Sequence, residues 1–416
     1  KMEWLKRRSY LKSCNRIDMK RKNILFAYIT PFHPNKGGIG RVTHQLTLEL
    51  QRRGYNVFYL IYPSGITIRY EYDYPAPLEY LPSSDLLSEE NIVFYHNYLK
   101  RNNISIVVNQ SGNFDDSRLW LKAKEWEVKV ISVLHSTPWV AYKHLWQEIY
   151  PLRNNSKIEK IKRVARIVLY PRIKYRSRKS RIEHYKMLLP STDCVCTLSK
   201  KYFSEISEIY PGYEYKYRAI PNPNSYKSKE IDRLLVPKKK QVLWVGLFCT
   251  EKNPTLAIRI WRRLYRDYPD WEFVIVGYNK NGFWRERMEY LAQGIPNIRF
   301  VGYQDPLPYQ LESSISCMTS LYEGWGMVLT EAMQCGAVPI AFNSFASVTD
   351  VIDHGRNGIL VKPFSIKQYE KELRRLMDNL DLLKRLSENA MQDIKKYNVD
   401  CVVDQWEELF QEFNNG

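Results

Sequence analysis

Two glutamates eight residues apart, Glu323 and Glu331, are the residues of this sequence best placed to do chemistry. Glu323 stands before the glycines of Gly324-Trp325-Gly326, and Glu331 falls about one turn into a helix predicted to begin at Met327. Glycines let a ligand approach the backbone, and free N–H groups at a helix start suit a diphosphate. The two carboxylates can accept hydrogen bonds from sugar hydroxyls and a ribose diol. The pattern indicates a nucleotide-sugar site; the alternative is two surface acids, the second of which only complements the helix dipole.

The same stretch resembles a known family. The segment from Glu323 to Glu331, continued by Gln334-Cys335-Gly336-Ala337-Val338-Pro339-Ile340, is similar to the E-x7-E segment and following strand of glycosyltransferase family 4, whose members are retaining enzymes of GT-B architecture. The resemblance implies that Glu323 contacts the donor sugar and that Glu331 contacts the ribose. It also implies that the donor diphosphate meets the backbone of Gly326, Met327 and Val328.

Further segments follow in the order that this family has them, and together they cover nearly the whole chain. Gly37-Gly38-Ile39-Gly40-Arg41 follows the first predicted strand, His135 follows a middle strand, and Ile220-Pro221-Asn222 precedes a linker. By resemblance, the loop with Gly37 and Gly38 touches the donor diphosphate or the transferred sugar, and His135 lies close to that sugar. Taken alone, a glycine-rich turn and a single histidine also fit purely structural roles.

Lys252 precedes Asn253-Pro254, which is a good helix start with asparagine as N-cap and proline at the first position. A lysine there can neutralise a departing diphosphate without a metal ion. The chain departs from the family pattern at Leu247, because an arginine commonly follows the strand glycine that is Gly246 here. One cation for the diphosphate is therefore missing, and Arg41 is the residue that could substitute for it.

Apolar runs alternate with helical patterns along the chain, as in a parallel sheet covered on both faces. In the first half, strands are predicted at 23–29, 57–61, 104–109, 128–134 and 194–198, with a helix at 42–53. We predict an α/β protein that, by resemblance, is of GT-B type, with two facing Rossmann-like doubly wound domains and the ligand cleft between them. The predicted divisions are an acceptor-side domain at 1–224, a linker at 225–240, a nucleotide-sugar domain at 241–398, and a last helix at 399–416 that returns to the first domain.

The net charge of +18 lies in the first half of the chain, because residues 1–236 carry +19 and residues 237–416 carry −1. Its densest part is residues 153–186, where 13 basic residues face two acidic ones. Apolar residues recur there at helical spacing, which predicts an interfacial helix attracted to anionic lipid. The alternatives are a solvated basic helix packed on its own domain and a nucleic-acid surface, but without a recognition module no nucleic-acid partner is expected. The residues assigned to the membrane or acceptor are Lys157, Lys160, Arg163 and Arg166.

Seven cysteines without a C-x2-C pair argue against a disulfide framework or a zinc site. The acidic pair Asp115-Asp116 is better explained as a loop and helix start than as a metal site. No metal and no cofactor is expected, since the nucleotide sugar is a substrate. No apolar run approaches the roughly 18 residues that span a bilayer, and no signal peptide is evident. We expect a cytoplasmic protein associated peripherally with the inner face of the membrane.

Together these features predict a hexosyltransferase that moves a hexose or an N-acetylhexosamine from a nucleotide sugar, with a UDP-sugar favoured. The expected acceptor is lipid-linked or a polysaccharide, as in the synthesis of bacterial-type surface glycans. Retention at the anomeric carbon rests on the resemblance alone. The first alternative is a sugar-nucleotide epimerase of the same architecture, which would need its own acid/base pair. The second is a non-enzymatic basic adaptor for a membrane or nucleic acid, supported only by Leu247 at the arginine position.

Overall fold

The computed structural model describes residues 22–34, 37–62, 72–140, 142–150, 156–234, 236–278 and 283–413. Two parallel sheets organise this part of the chain, and we call the halves built around them the first and second domains. The first sheet has the strand order β3-β2-β1-β4-β5-β6-β7. Its strands are β1 (Asn23–Tyr28), β2 (Asn56–Ile61), β3 (Leu78–Tyr80), β4 (Ile104–Asn109), β5 (Lys129–Leu134), β6 (Cys194–Thr197) and β7 (Tyr217–Ala219).

The second sheet has the strand order β10-β9-β8-β11-β12-β13. Its central strands are almost fully buried and rich in valine and isoleucine, as expected where helices cover both faces of a parallel sheet. Its strands are β8 (Lys239–Val245), β9 (Glu272–Val276), β10 (Ile298–Gly302), β11 (Ser313–Met318), β12 (Val338–Phe342) and β13 (Ile359–Val361).

Helices connect these strands and cover both sheets. In the first domain they are Gly38–Arg52, Glu89–Arg101, Arg118–Leu121, Leu145–Ile149, Lys157–Val168, Tyr170–Leu188 and Phe203–Ile209. The rest are Ser228–Leu234, Pro254–Trp261, Phe283–Ala292, Leu307–Glu312, Met327–Gln334, Val348–Val351, Ile366–Met377, Leu380–Asp393 and Val399–Glu412. Within the described residues, none of these helices combines the length and the apolar character that crossing a membrane requires.

The predicted α/β fold with two wound domains is confirmed. The five strands predicted in the first half are present with ends shifted by at most one residue. The first helix begins at Gly38 and not at Val42, because Gly37, with a φ of 129°, is the N-cap and the helix follows it directly. The segment 225–240, predicted as a linker, contains the helix Ser228–Leu234 and the start of β8.

The last helix, Val399–Glu412, packs on the core of the first domain. Its buried face includes Trp406 and Phe410, and the Phe410 ring lies 5.9 Å from that of Tyr55. At its solvent edge, Arg53 forms an ion pair of 2.5 Å with Glu407. The chain therefore crosses back to its first half after completing the second sheet.

Candidate functional site

Two helix starts, one from each domain, meet across the cleft. In the first domain Gly37, at a φ of 129°, leads into Gly38–Arg52, and in the second Gly326, at a φ of 84°, leads into Met327–Gln334. Both angles lie in the region where glycine is favoured. A β carbon on Gly38 would lie only 3.6 Å from Cγ of Met327. The two helix starts thus lie side by side, and the free N–H groups and dipoles at such starts suit an anion.

Glu331 is buried inside the second of these helices, and it joins the two domains. Its Oε1 accepts hydrogen bonds from Arg41 at 2.5 Å and from the Ser225 hydroxyl at 2.6 Å. Its Oε2 accepts a weaker bond of 3.3 Å from the side chain of Gln310. Arg41 lies on the helix of the first domain, so the ion pair spans the cleft. A carboxylate has about four acceptor positions, so three partners leave it nearly saturated.

Glu323 and Lys252 form the second charged centre of the cleft. Lys252 Nζ lies 2.5 Å from Oε2 of Glu323 and 2.9 Å from Oε1 of Glu251. The other oxygen of Glu323 accepts a hydrogen bond of 2.8 Å from the Ser320 hydroxyl. Burial acts to lower the pKa of Lys252, but the two carboxylates outweigh it and hold that pKa above its ordinary value. Burial raises the pKa of Glu251, and Lys252 opposes the rise. The lysine of this centre is therefore charged at neutral pH.

The backbone that carries Lys252 is fixed to the second sheet. Thr319, just after β11, donates its hydroxyl hydrogen to the carbonyls of Lys252 and Asn253, at 3.2 and 3.0 Å. The helix begins at Pro254, as predicted, with Asn253 in the N-cap position. Asn253 adopts a left-handed conformation, with a φ of 48°, and its side chain makes no capping hydrogen bond. Tertiary contacts therefore hold this turn in place of the predicted cap.

The Glu323-Gly324 loop touches the first domain directly. A β carbon on Gly324 would lie 1.9 Å from the carbonyl oxygen of His135, so only glycine permits this approach. The Tyr202 hydroxyl donates to the carbonyl of Glu323 at 2.8 Å, and Ser347 donates to that of Gly324 at 2.9 Å. Glu323 is thus presented by a loop that both domains hold.

His135 stands just after β5, as the sequence predicts, and its ring Nε2 contacts the amide oxygen of buried Gln110. Burial lowers the pKa of His135 to about 4, so its ring is neutral at physiological pH. The other ring nitrogen, Nδ1, is buried and has no hydrogen-bond partner among the described residues. Leu247, at the expected arginine position, is 43% exposed and provides no charge.

The structure brings most of the predicted site residues into one cleft. Glu323 contacts Lys252, Glu331 contacts Arg41, and His135 lies beside the Gly324 loop. Sequence reasoning missed several polar residues that complete these contacts. Ser225 follows the Ile220-Pro221-Asn222 motif and Gln110 follows the end of β4, and these positions could have identified them. Nothing in the sequence distinguishes Gln310 or Tyr202. These missed residues are Gln110, Tyr202, Ser225, Glu251 and Gln310.

Asp115, the first residue of the acidic pair Asp115-Asp116, has a structural role at the start of a short helix, as predicted. Asp115 opens a short 3-10 turn, Asp115–Ser117, and its carboxylate lies 2.8 Å from Nδ1 of His184. The other nitrogen of that ring lies 2.8 Å from the carbonyl oxygen of Gly112. Across the described ranges, no three or more His, Cys, Asp or Glu side chains are grouped so as to hold a metal ion.

A second surface lies on the first domain, on the helices Lys157–Val168 and Tyr170–Leu188, which we call the basic helix pair. The first helix exposes a stripe of aliphatic side chains, each between 60 and 71% exposed. These side chains are Ile158, Ile161, Val164 and Val168. Such a contiguous apolar stripe on a helix surface marks an interaction site.

The four predicted basic residues of this helix fall into two groups. Lys157 and Lys160 are exposed beside the apolar stripe. Arg166 is half-buried and pairs with Glu159 at 2.6 Å, since a buried carboxylate needs a countercharge. Arg163 stacks on Tyr150, with its guanidinium carbon 4.3 Å from the ring centroid. Arg166 also donates from Nε to the carbonyl of Ile149 at 3.2 Å, so the two arginines attach the helix to its own domain, and the two lysines face solvent.

Comparison with known proteins identifies a related family over part of the chain. Residues 227–393 match the family described as glycosyl transferases group 1. An uncharacterized glycosyltransferase of Haemophilus influenzae is 29% identical over 192 residues, which are 45% of this chain and 53% of that protein. An α-1,4-N-acetyl-D-galactosaminyltransferase of Campylobacter jejuni, named for a diNAcBac-PP-undecaprenol acceptor, is 22% identical over 50% of this chain and 58% of its own length. The chain thus spans about half the length of these curated relatives.

Solved structures share the fold over nearly the whole chain. Anabaena HepE in complex with UDP superposes with a TM-score of 0.71 at 13% identity, covering 94% of this chain and all of that one. Sucrose-phosphate synthase from Thermosynechococcus elongatus gives a TM-score of 0.73 at 17% identity, over 95% of this chain and 100% of its own. The chain therefore has the two-domain GT-B fold, and its residues 227–393 form a domain of the group 1 glycosyl transferase family.

Proposed function

We propose that this chain transfers a hexose or an N-acetylhexosamine from a nucleotide sugar, with retention at the anomeric carbon. The observation that carries the proposal is the close approach of two helix starts from the two domains, together with the Arg41–Glu331 and Lys252–Glu323 ion pairs. Helix starts and a lysine favour a diphosphate, and the carboxylates favour the hydroxyls of a ribose and a hexose. A UDP-sugar is the favoured donor, in keeping with a fold relative that was crystallised with UDP-glucose.

In this proposal the acceptor oxygen attacks the anomeric carbon on the face from which the diphosphate leaves. The bond from that carbon to the diphosphate oxygen breaks as the new glycosidic bond forms, and a phosphate oxygen takes the acceptor proton. No protein nucleophile, metal or cofactor is required. Lys252 and the helix start at Gly326 stabilise the charge that develops on the leaving diphosphate. Glu323 holds sugar hydroxyls and orients the ring.

Arg41 supplies the second cation in this scheme. In the structure Arg41 forms an ion pair with Glu331, the carboxylate assigned to the ribose. When the ribose diol takes that carboxylate, Arg41 is released beside the start of its own helix, where the diphosphate would lie. The absence of an arginine at Leu247 is thereby compensated from the other domain.

We further propose a lipid-linked acceptor, reached from the cytoplasmic face of the membrane through the basic helix pair. The support is the combination of an exposed aliphatic stripe, exposed lysines beside it, and the half-exposed aromatic rings of Trp146 and Tyr150 next to it. Anionic lipid attracts the charges, the bilayer interface accepts the stripe, and aromatic rings sit well at headgroup depth. The Campylobacter relative, named for a polyprenyl-linked acceptor, agrees with this class of substrate.

The donor is tested by thermal unfolding in the presence of UDP-, GDP- and ADP-sugars. A ligand at a hundred times its dissociation constant stabilises the folded state by about 2.7 kcal/mol, and we expect the largest rise in Tm with a UDP-hexose or UDP-N-acetylhexosamine. If no nucleotide sugar raises the Tm, the adaptor alternative replaces the transferase. Epimerisation of the donor without any acceptor would instead favour the epimerase.

The assignment of Glu331 predicts a specific loss of nucleoside binding. Glu331→Ala should weaken binding of both the nucleoside and the nucleoside diphosphate by about 1–3 kcal/mol, because the buried ribose diol loses its acceptor. Arg41→Ala should weaken binding of the nucleoside diphosphate and leave binding of the nucleoside unchanged, because in this proposal Arg41 contacts the phosphates. Isothermal titration of both ligands measures the difference. Glu312→Ala is the matched control, since Glu312 pairs with Lys239 outside the cleft. Equal affinities in parent and Glu331→Ala proteins would contradict the assignment.

A further inference from the structure

Gln110 lies at the carboxyl edge of the first sheet, just after β4, and its position is rigid. It is 3% exposed, and its backbone N–H donates to the carbonyl of Ala27 at 3.0 Å. The side-chain oxygen of Asn109 turns the chain there by accepting from the N–H of Ser111 at 3.0 Å. The Gln110 side chain then reaches the ring of His135, just after the neighbouring strand β5.

His135 is held equally firmly. The N–H of Ser136 donates to the side-chain oxygen of Asn113 at 3.1 Å, and the Gly324 backbone lies against the carbonyl of His135. The ring is neutral, because burial lowers the pKa of His135 to about 4. A neutral imidazole has one N–H donor and one lone-pair acceptor, and the hydrogen bond at one nitrogen decides the role of the other.

Nε2 of His135 faces the amide oxygen of Gln110, so Nε2 is the donor in this contact. Nδ1 must then carry the lone pair. It is buried and lacks a partner within the part of the chain that the structure describes. A buried acceptor without a partner costs free energy, which a ligand with a hydroxyl donor would recover.

We propose that Gln110 is a positioning residue that fixes the tautomer of His135, so that Nδ1 of His135 accepts a hydrogen bond from a hydroxyl of the transferred sugar. This inference rests on the proposed function, because the hydroxyl belongs to the donor. The backbone of His135 contacts the loop that presents Glu323, so in this proposal His135 and Glu323 approach the sugar from the two domains. Gln110 thereby contributes to selection of the sugar without touching it.

The tautomer is measured by long-range ¹H–¹⁵N NMR of protein labelled at its histidines, with the His135 signals assigned from His135→Gln. The parent protein at neutral pH should show protonated Nε2 and unprotonated Nδ1. Gln110→Glu should keep that pattern, because a carboxylate only accepts. If the amide NH₂ of Gln110 faces the ring instead, the parent will show protonated Nδ1 and Gln110→Glu will reverse it, which overturns the proposal.

The kinetic arm uses Gln110→Leu, which removes the acceptor at similar volume. Its kcat/KM for the nucleotide sugar should fall about tenfold, while the affinity for the nucleoside diphosphate stays within about twofold. Gln110→Glu should restore most of the loss. Gln241→Leu is the matched control, since Gln241 is a buried glutamine bonded to Ser313 in the second sheet. An equal loss of diphosphate affinity in Gln110→Leu would show a structural role and overturn the proposal. Failure of the parent protein to bind any nucleotide sugar would instead remove the proposed function, and leave the tautomer result standing.

Discussion

Replacing Lys252 by alanine should reduce turnover by about 10²- to 10³-fold, the loss typical when one preorganised donor to developing charge is removed. Lys252 lies at the Glu323 end of the cleft, with its ammonium within 2.9 Å of two carboxylates that keep it charged. The leaving diphosphate gains charge as the glycosidic bond breaks, so the lysine stabilises the transition state more than the bound donor. The fall should therefore appear mainly in kcat, measured with donor at saturation.

Two controls separate this effect from a loss of folding. Lys252→Ala leaves Glu251 and Glu323 without their shared countercharge, so its Tm must be measured beside its activity. Lys240→Ala removes an exposed lysine that pairs with Asp270 in the same domain, and it should retain parental turnover. Adding EDTA should leave the parent enzyme active, because the proposed mechanism uses no metal. Loss of activity on chelation, restored by magnesium or manganese, would refute the role given to Lys252.

The sequence predicted the wound domains and the ends of most strands because buried parallel strands are written as continuous apolar runs. It missed β3, β7 and β13, which have three residues each and give no such run. The helix within 225–240 was also missed, because among the described residues of that segment only Ile231 is a fully buried apolar residue, which leaves no helical pattern to recognise. Local pattern thus decides long elements, whereas short ones depend on the tertiary contacts around them.

The positions of the candidate site residues follow from motifs that the sequence displays. Glu323 and Lys252 stand beside a glycine or proline turn, and Glu331 lies on the helix that begins after Gly326. Their partners come from distant parts of the chain. The bond from Arg41 to Glu331 joins residues 290 positions apart, and that from Tyr202 to Glu323 joins residues 121 apart. Sequence spacing carries no signal for such pairs, so only the structure shows which acid each cation meets.

The helix Lys157–Val168 also shows what sequence spacing cannot predict. Helical spacing predicts one apolar face and basic flanks, but it does not tell which residues turn inward. Glu159 is buried and forms an ion pair with Arg166, while the guanidinium of Arg163 stacks on the ring of Tyr150. The aliphatic stripe consequently faces solvent. A membrane test that changes all four basic residues would therefore disturb the attachment of the helix as well as its surface charge.

Binding of the protein to vesicles of anionic lipid should depend on the exposed stripe and on exposed lysines alone. Changing Lys157, Lys160 and Lys162 to glutamine should weaken partitioning by on the order of 10²-fold, at about 1 kcal/mol for each charge near the surface. Added salt should weaken the parent in the same direction, because it screens these charges. Changing Ile158, Ile161, Val164 and Val168 to serine should cause a comparable or larger loss, since each aliphatic side chain gives up about 1 kcal/mol or more on leaving the interface.

The matched controls lie on the second domain, where Leu380 is an exposed leucine and Lys367, Lys371 and Lys384 are exposed lysines. Leu380→Ser, and the three lysines changed to glutamine, should leave sedimentation with vesicles unchanged. Donor affinity should be parental in every variant, because the stripe is separate from the cleft, whereas transfer to a lipid acceptor should slow only in the two variants of the basic helix. Vesicle binding that does not depend on anionic lipid would contradict the membrane role and favour a polysaccharide acceptor.

A dimer in solution that the serine variant converts to monomer would show that the stripe pairs with a second copy of the chain instead.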